Sequence, residues 1–197
     1  MELIRVGFAF CGSFCTYDKA IAALERVKAD FGDVTPIVSE RGADLDTRFG
    51  NAHDFMREIE RICDKRVITT IQAAEPIGPK GLLDLLIVAP CTGNTLAKLA
   101  AGVTDSSVTM AAKAHLRNGR PLVIAVSTND GLAASARNIG ELLCRKNIYF
   151  VPFRQDDPSG KPFSLVADFG LVSQTAQAAL EGRQLQPILL GPAKAAE

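Results

Sequence analysis

The chain has 197 residues, 47% of them apolar, and its 22 basic side chains balance 22 acidic ones. That length buries a full core within one domain, and zero net charge without a dense Lys/Arg run gives no electrostatic basis for nucleic acid or an anionic membrane as partner. No apolar stretch approaches the roughly 20 residues that span a bilayer. Met1-Glu2-Leu3-Ile4-Arg5 lacks the basic, apolar and small-residue regions of a signal peptide, so we expect a cytoplasmic protein.

In chain order, Val6 to Phe10 reads as a first strand, and Tyr17 to Phe31 as a helix with Ile21, Leu24, Val27 and Phe31 at helical spacing and Thr16 as its N-cap. Val34 to Val38 is a second strand; Pro36 has no N–H to donate, which assigns this strand to a sheet edge. Asn51 caps a helix carrying Phe55, Ile59 and Ile62, and Val67 to Ile71 is a short β-branched run before a Pro/Gly-rich turn at Glu75 to Gly81. Leu85 to Ala89 is the third main strand. Helices at Asn94 to Ala101 and Asp105 to Asn118 follow, separated by Gly102. Leu122 to Val126 is the fourth strand, Leu132 to Lys146 a helix and Ile148 to Val151 the fifth strand. A polar loop from Pro152 to Lys161 leads to a helix at Ser164 to Glu181, and Gln184 to Glu197 shows no period and reads as an arm or tail after a single domain over 1–183.

Strands that alternate with helices and read as continuous apolar runs imply a parallel sheet covered on both faces. The expected fold is α/β, a three-layer, doubly wound, flavodoxin-like or Rossmann-like sheet of order 2-1-3-4-5, with the Pro36 strand at its edge. In that order strands one and three are neighbours whose connections leave in opposite directions, and ligands bind where they part. Three strands end there in small polar loops: Cys11-Gly12-Ser13, Pro90-Cys91-Thr92-Gly93-Asn94-Thr95 and Ser127-Thr128-Asn129-Asp130-Gly131. Gly12-Ser13 and Thr92-Asn94 precede helices, whose free N–H groups and positive dipole ends favour an anion. Neither is a GxGxxG or Walker motif, and each alone also reads as a plain strand-to-helix turn. Asp130 reads equally as a proton acceptor and as a helix cap. Arg41, Arg48 and Arg154 fall in loops, where they can meet carboxylates or simply be solvated.

Cys11, Cys15, Cys63, Cys91 and Cys144 are odd in number and scattered, which argues for reduced thiols rather than a disulfide framework. His53 and His115 are too few and too isolated for a zinc site, and His115, among Ala111, Ala112 and Leu116, reads as structural. No metal is expected.

At the third strand, residues 89–105 (APCTGNTLAKLAAGVTD) resemble the flavoprotein family of homo-oligomeric flavin-containing cysteine decarboxylases, whose signature reads approximately PASANTLAKIANGIAD. The decarboxylases carry a catalytic histidine shortly before this strand, where the chain has Glu75-Pro76-Ile77-Gly78, and a P-x-M-N segment where it has Ser127 to Gly131. Ala125 to Leu132, Asn138-Ile139-Gly140, Tyr149 to Pro158 and Lys161 to Val166, with the opening Gly7 to Cys15, are instead similar to the B-subunit family of dipicolinate synthases.

The resemblance implies an oxidoreductase subunit that works with an A subunit during sporulation, in the cytoplasm of the mother cell. Together they convert a dihydrodipicolinate-type precursor to pyridine-2,6-dicarboxylate. It implies a homo-oligomer, FMN as cofactor and NADP held by the A subunit. Gly12, Ser13, Ser39, Pro90, Thr92, Gly93, Asn94, Thr95, Ser127 and Thr128 are then the expected cofactor-binding residues. Asn129 and Asp130 are expected near the reacting ring, and Arg154 and Lys161 on the substrate carboxylates. Two other readings stay open: a stand-alone FMN-dependent decarboxylase or prenyltransferase-like enzyme, and a structural partner subunit with a vestigial pocket.

Overall fold

The computed structural model describes residues 3–12, 16–44 and 51–191. Seven strands form one mixed sheet: β1 (Arg5–Phe10), β2 (Asp33–Val38), β3 (Leu85–Cys91), β4 (Leu122–Thr128), β5 (Ile148–Phe150), β6 (Phe153–Asp157) and β7 (Lys161–Ala167). The order is β2-β1-β3-β4-β7-β6, with β5 also paired to β4. The five strands expected from sequence therefore lie in the order 2-1-3-4-5, all parallel. Leu122 to Ile124 pair with β5, whereas Ser127 and Thr128 at the far end of β4 pair antiparallel with β7.

Continuous apolar runs make the central strands because both faces are covered. All seven residues of β3 are buried, as are Leu122 to Ser127 of β4. The helices are α1 (Tyr17–Phe31), α2 (Glu40–Asp44), α3 (Ala52–Cys63), α4 (Ile71–Ala74), α5 (Gly93–Ala101), α6 (Ser107–Leu116), α7 (Ala136–Leu143) and α8 (Val172–Leu180). α1, α3 and α8 pack on one face, and α4, α5, α6 and α7 on the other. Pro36 sits in register with Phe8 of β1, and its carbonyl accepts from the N–H of Ile68 on the outer side. A strand residue's N–H and C=O point to the same side, so the missing N–H of Pro36 faces outward and costs the β1–β2 ladder nothing.

Local chemistry sets the ends of these helices. Asn51 Oδ1 accepts from the N–H of His53, 2.9 Å, at the start of α3. Ser106 and Thr109 form a capping box at the start of α6, and Gly102, with φ of 72°, closes α5 in a left-handed conformation that glycine adopts without strain. Thr16 makes no side-chain cap for α1; its Oγ1 lies 3.5 Å from Ser127 Oγ.

The region after β5 differs from expectation. Phe153 to Asp157 and Lys161 to Ala167 form an antiparallel hairpin, not a polar loop and the first turn of a helix, and the last helix begins only at Val172. Leu165, Val166, Phe169 and Val172 mimic a helical spacing, but Ser127 and Thr128 offer β7 a ladder, and tertiary pairing overrides the local pattern. The helix expected from Leu132 is shorter too, because the residues from Asp130 to Ser135 form turns. Among the described residues no helix is long and apolar enough to cross a membrane.

Candidate functional site

Three strands of the parallel sheet end beside one cavity of about 720 Å³. Cys11 and Gly12 enter it from the end of β1, and Ser39 and Glu40 from the end of β2. Thr92, Asn94 and Thr95 enter from the turn after β3. Lys98, one helical turn beyond Asn94 on α5, also lines it, as do Asp105, Ser106 and Ile71. This is the point between β1 and β3 where the strand order reverses, and the volume falls within the range of about 300–1,000 Å³ usual for small-molecule sites.

The polar groups are fixed to different degrees. Thr92 Oγ1 accepts from the N–H of Thr95, 3.3 Å, as the N-cap of α5. Both oxygens of Glu40 accept from the N–H of Ser107, at 3.0 and 3.3 Å, so a carboxylate already satisfies the start of α6. Lys98 Nζ donates to Asp105 Oδ2, 2.8 Å. The Asn94 side chain is exposed and has no hydrogen-bond partner among the described residues. The α5 start thus presents a helix dipole and an amide with unspent hydrogen-bonding capacity to the cavity.

Behind this turn stands the loop after β4. Thr128 Oγ1 and Ser135 Oγ both donate to Asp130 Oδ1, the latter at 2.9 Å. A Cβ on Gly93 would lie 2.6 Å from Thr128 Oγ1, 2.7 Å from Ser135 Oγ and 2.8 Å from Asp130 Oδ1. Glycine is required there by close approach, because the loop abuts the first residue of α5.

Cys11, at the cavity floor, is buried, which pushes its thiol up to about 11; hydrogen bonding with Thr95 and Thr92 and the charge of Lys98 oppose this more weakly. Burial also raises Cys91, and the nearby Cys11 adds to it. Neither is a thiolate at neutral pH, so the cavity holds no ready sulfur nucleophile among these two. Tyr17 Oη donates to the carbonyl of Cys11, 3.0 Å, and its ring stacks on Phe55 at 4.1 Å, which anchors the end of β1 against α1 and α3.

Of the residues expected from sequence, Gly12, Ser39, Thr92, Asn94 and Thr95 share the cavity. Ser13 lies outside the described residues, as do Cys15 and Arg48. Pro90 is buried within β3, joined to Ala89 by a cis peptide. Thr128 and Asp130 back the α5 turn rather than line the cavity, Ser127 is buried beside Thr16, and Asn129 is exposed. Arg154 and Lys161 are elsewhere, on the β6–β7 hairpin. Arg154 Nη2 pairs with Asp168 Oδ2 at 2.7 Å, and Lys161 Nζ with Asp156 Oδ2 at 3.1 Å. Sequence reasoning missed Lys98, Glu40, Asp105 and Ser106. For Lys98 the signal was present, since Asn94 and Lys98 are spaced four apart and so share a helix face.

His115 is buried, with Nε2 2.9 Å from the carbonyl of Pro121, and burial lowers its pKa to about 4. It stands at the opposite end of β4. His53 is exposed on α3, and neither histidine lines the cavity. Among the described residues no group of His, Cys, Asp or Glu could hold a metal ion.

The family model described as Flavoprotein matches residues 1–152. Over 186 residues, 94% of this chain and 93% of the relative, the sequence is 45% identical to the B subunit of dipicolinate synthase of Bacillus subtilis (strain 168). The crystal structure of the dipicolinate synthase B subunit from Bacillus halodurans superposes with a TM-score of 0.87 at 43% identity, covering 97% of this chain and 99% of that one. That of the FMN-dependent cysteine decarboxylase SpaF reaches 0.65 at 21% identity, over 91% and 97%, and shares the fold. The chain belongs to the flavoprotein family, on the branch represented by the dipicolinate synthase B subunits.

Proposed function

We propose that this chain is the B subunit of a dipicolinate synthase, an oxidoreductase that binds FMN at the carboxyl ends of β1, β2 and β3 and acts with an A subunit. The observation that carries this reading is the common cavity. Gly12, Ser39, Thr92, Asn94 and Thr95, chosen as cofactor ligands from sequence, line one hollow of small-molecule size at the strand-order reversal.

The donor set suits a phosphorylated flavin. The start of α5 offers N–H groups and a dipole to a phosphate, Lys98 is paired with Asp105 and Glu40 with the N–H of Ser107, and Asn94, Ser39 and Ser106 can meet ring carbonyls and nitrogens. Ile71 and the uncharged Cys11 supply apolar wall.

Converting a dihydropyridine dicarboxylate to pyridine-2,6-dicarboxylate removes two electrons and two hydrogens, one leaving as hydride and one as a proton. A bound flavin supplies a two-electron acceptor. The chain's own contribution is to orient the ring and accept the proton. Asp130, which stands behind the α5 turn and outside the cavity lining, is the proposed acceptor for a substrate seated at the crest of the loop after β4: Thr128 and Ser135 fix Oδ1, and Oδ2 has no partner among the described residues. Asn129 stands beside it at the exposed loop crest. NADP belongs to the A subunit in this reading, the protein is a homo-oligomer, and it works in the mother-cell cytoplasm during sporulation. The stand-alone decarboxylase reading loses ground because neither histidine lines the cavity.

Co-expression with the A subunit, followed by a dipicolinate assay of each subunit and of the pair, tests the proposal. Product is expected from the pair alone. Product from this chain alone contradicts the two-subunit reading. In the reconstituted pair Asp130→Asn is expected to lower turnover at least tenfold and to flatten its pH profile; an unchanged profile removes Asp130 as acceptor.

A further inference from the structure

A second cavity, of about 480 Å³, lies between α1 and the β6–β7 hairpin and shares no lining residue with the first. Lys19 and Arg26, two turns apart on α1, stand on one side, and Arg154 on the other. Asp156 and Asp168 also line it, but both are spent: Asp156 pairs with Lys161, and Asp168 holds Arg154 at 2.7 Å while accepting from the N–H of Gly170 at 3.1 Å. Neither Lys19 nor Arg26 has an ion-pair partner among the described residues. Three cations and two carboxylates line the cavity, a positive excess of one, and Lys161, outside the lining, offsets Asp156 as well. Arg154 is held in a fixed orientation by Asp168, and its remaining N–H donors have no acceptor among the described residues. Ala22, Ala23, Val166, Ala167 and Phe169 provide apolar surface between these cations.

The geometry points to a binding site here for a small planar dicarboxylate, separate from the flavin cavity. Lys19 and Arg26 on one wall supply the charge for a dianion, Arg154 on the other adds directed N–H donors, and the apolar surface between them matches a ring better than a bare phosphate, which needs far less than this volume. The site has a physical route to the flavin cavity: β7 pairs with Ser127 and Thr128, and Thr16 at the head of α1 meets Ser127. The choice of a ring dicarboxylate rests on the proposed function; the positive excess does not.

Calorimetric titration of pyridine-2,6-dicarboxylate into the chain, with amide NMR shifts as a map, tests this. Binding is expected with shifts clustered at Ala22, Ala167 and Gly170. The double variant Lys19→Ala/Arg26→Ala is expected to weaken it roughly tenfold or more while FMN affinity and melting temperature stay unchanged. Both positions are exposed, so folding is not at stake. Shifts confined to Thr92 and Asn94, or equal binding by the double variant, overturn the second site. Binding of inorganic phosphate but not of the diacid, sensitive to the double variant, overturns the ring-dicarboxylate assignment. Binding of a poly-glutamate peptide in place of the diacid overturns it in favour of an acidic protein partner. The dipicolinate assay of the subunit pair is independent of all these outcomes, so failure here and failure of the proposed function are distinguishable.

Discussion

Polar side chains gather at both ends of the parallel sheet, and most of them are paired at each; the ends differ in the hollow and the unspent amide at one of them. At the amino end, Arg5 donates to Asp84 through its backbone N–H, Nε and Nη2, at 2.9, 2.9 and 2.7 Å, and Arg120 Nη1 reaches Asp84 Oδ1 at 2.9 Å as well as the carbonyl of Leu83. Asn118 Nδ2 donates to the carbonyl of Gly78 at 2.8 Å, and His115 is bound to Pro121. These groups close on one another. At the carboxyl end, Asn94 is exposed and has no partner among the described residues, beside a cavity wide enough for a cofactor. A self-satisfied polar cluster stabilises the fold, and one with unspent donors around a hollow can bind. Charge density alone does not tell the two apart.

The largest effect expected on this contrast comes from Gly93→Ala. The new methyl meets three oxygens below 3 Å, so the Thr128–Asp130–Ser135 loop or the start of α5 has to move. Flavin binding is expected to fall by at least tenfold in a fluorescence titration, with about 1–3 kcal/mol of stability lost in urea unfolding. Wild-type affinity in this variant would show that the loop does not support the cavity.

At the other end, His115 gives a pH signature. Its folded pKa, about 4, lies below the ordinary 6.5 because burial disfavours the charged ring. The unfolded chain therefore binds a proton first as pH falls. Stability is full above 6.5 and declines towards about 4, by on the order of 3 kcal/mol from this group. His115→Gln is expected to flatten the denaturation slope in that window; an unaltered slope assigns the acid sensitivity elsewhere.

Asp84→Ala is expected to cost about 1–3 kcal/mol in urea unfolding by stranding the donors of Arg5 and Arg120, without altering flavin affinity. The hydrogen bond from Arg5, with smaller help from the charges of Arg5 and Arg120, holds the Asp84 carboxyl below its ordinary range against the opposing effect of burial. Its contribution is present above the usual carboxylate pKa and is lost as pH falls through the lowered one. A change in flavin affinity here would break the division between the two ends.

The smallest expected effect is chemical. Among the described cysteines, exposed Cys144 is expected to alkylate first at pH 7.5, and Cys11 and Cys91 only slowly, with the Cys11 rate rising towards pH 11. Mass mapping of iodoacetamide adducts reads this directly, and early modification of Cys11 would contradict a neutral buried thiol.

Much of the carboxyl-end rim was legible in the sequence because its signals are local. Leu85 to Ala89 is a continuous apolar run, Thr92 is an N-cap residue, and Pro36 marks the edge strand through its missing N–H. The β6–β7 hairpin was not legible, since Lys161 to Phe163 are exposed and polar-flanked while Leu165 and Val166 fit a helix as well as a strand. What decides it is pairing with Thr128, a contact distant in sequence. Arg154 and Lys161 were placed with the carboxyl-end loops for the same reason: as loop residues they could be anywhere, whereas the hairpin sets them away from the flavin cavity and pairs them with Asp168 and Asp156.

The central claim is that Asn94 and its neighbours hold a flavin. Titration of FMN into the purified chain and into Asn94→Leu, followed by flavin absorbance and fluorescence with melting as a control, tests it most directly. One FMN per chain is expected, and for the variant an affinity lower by roughly tenfold at an unchanged melting temperature. Equal affinity in the two proteins, or no FMN uptake by the parent chain, would contradict it.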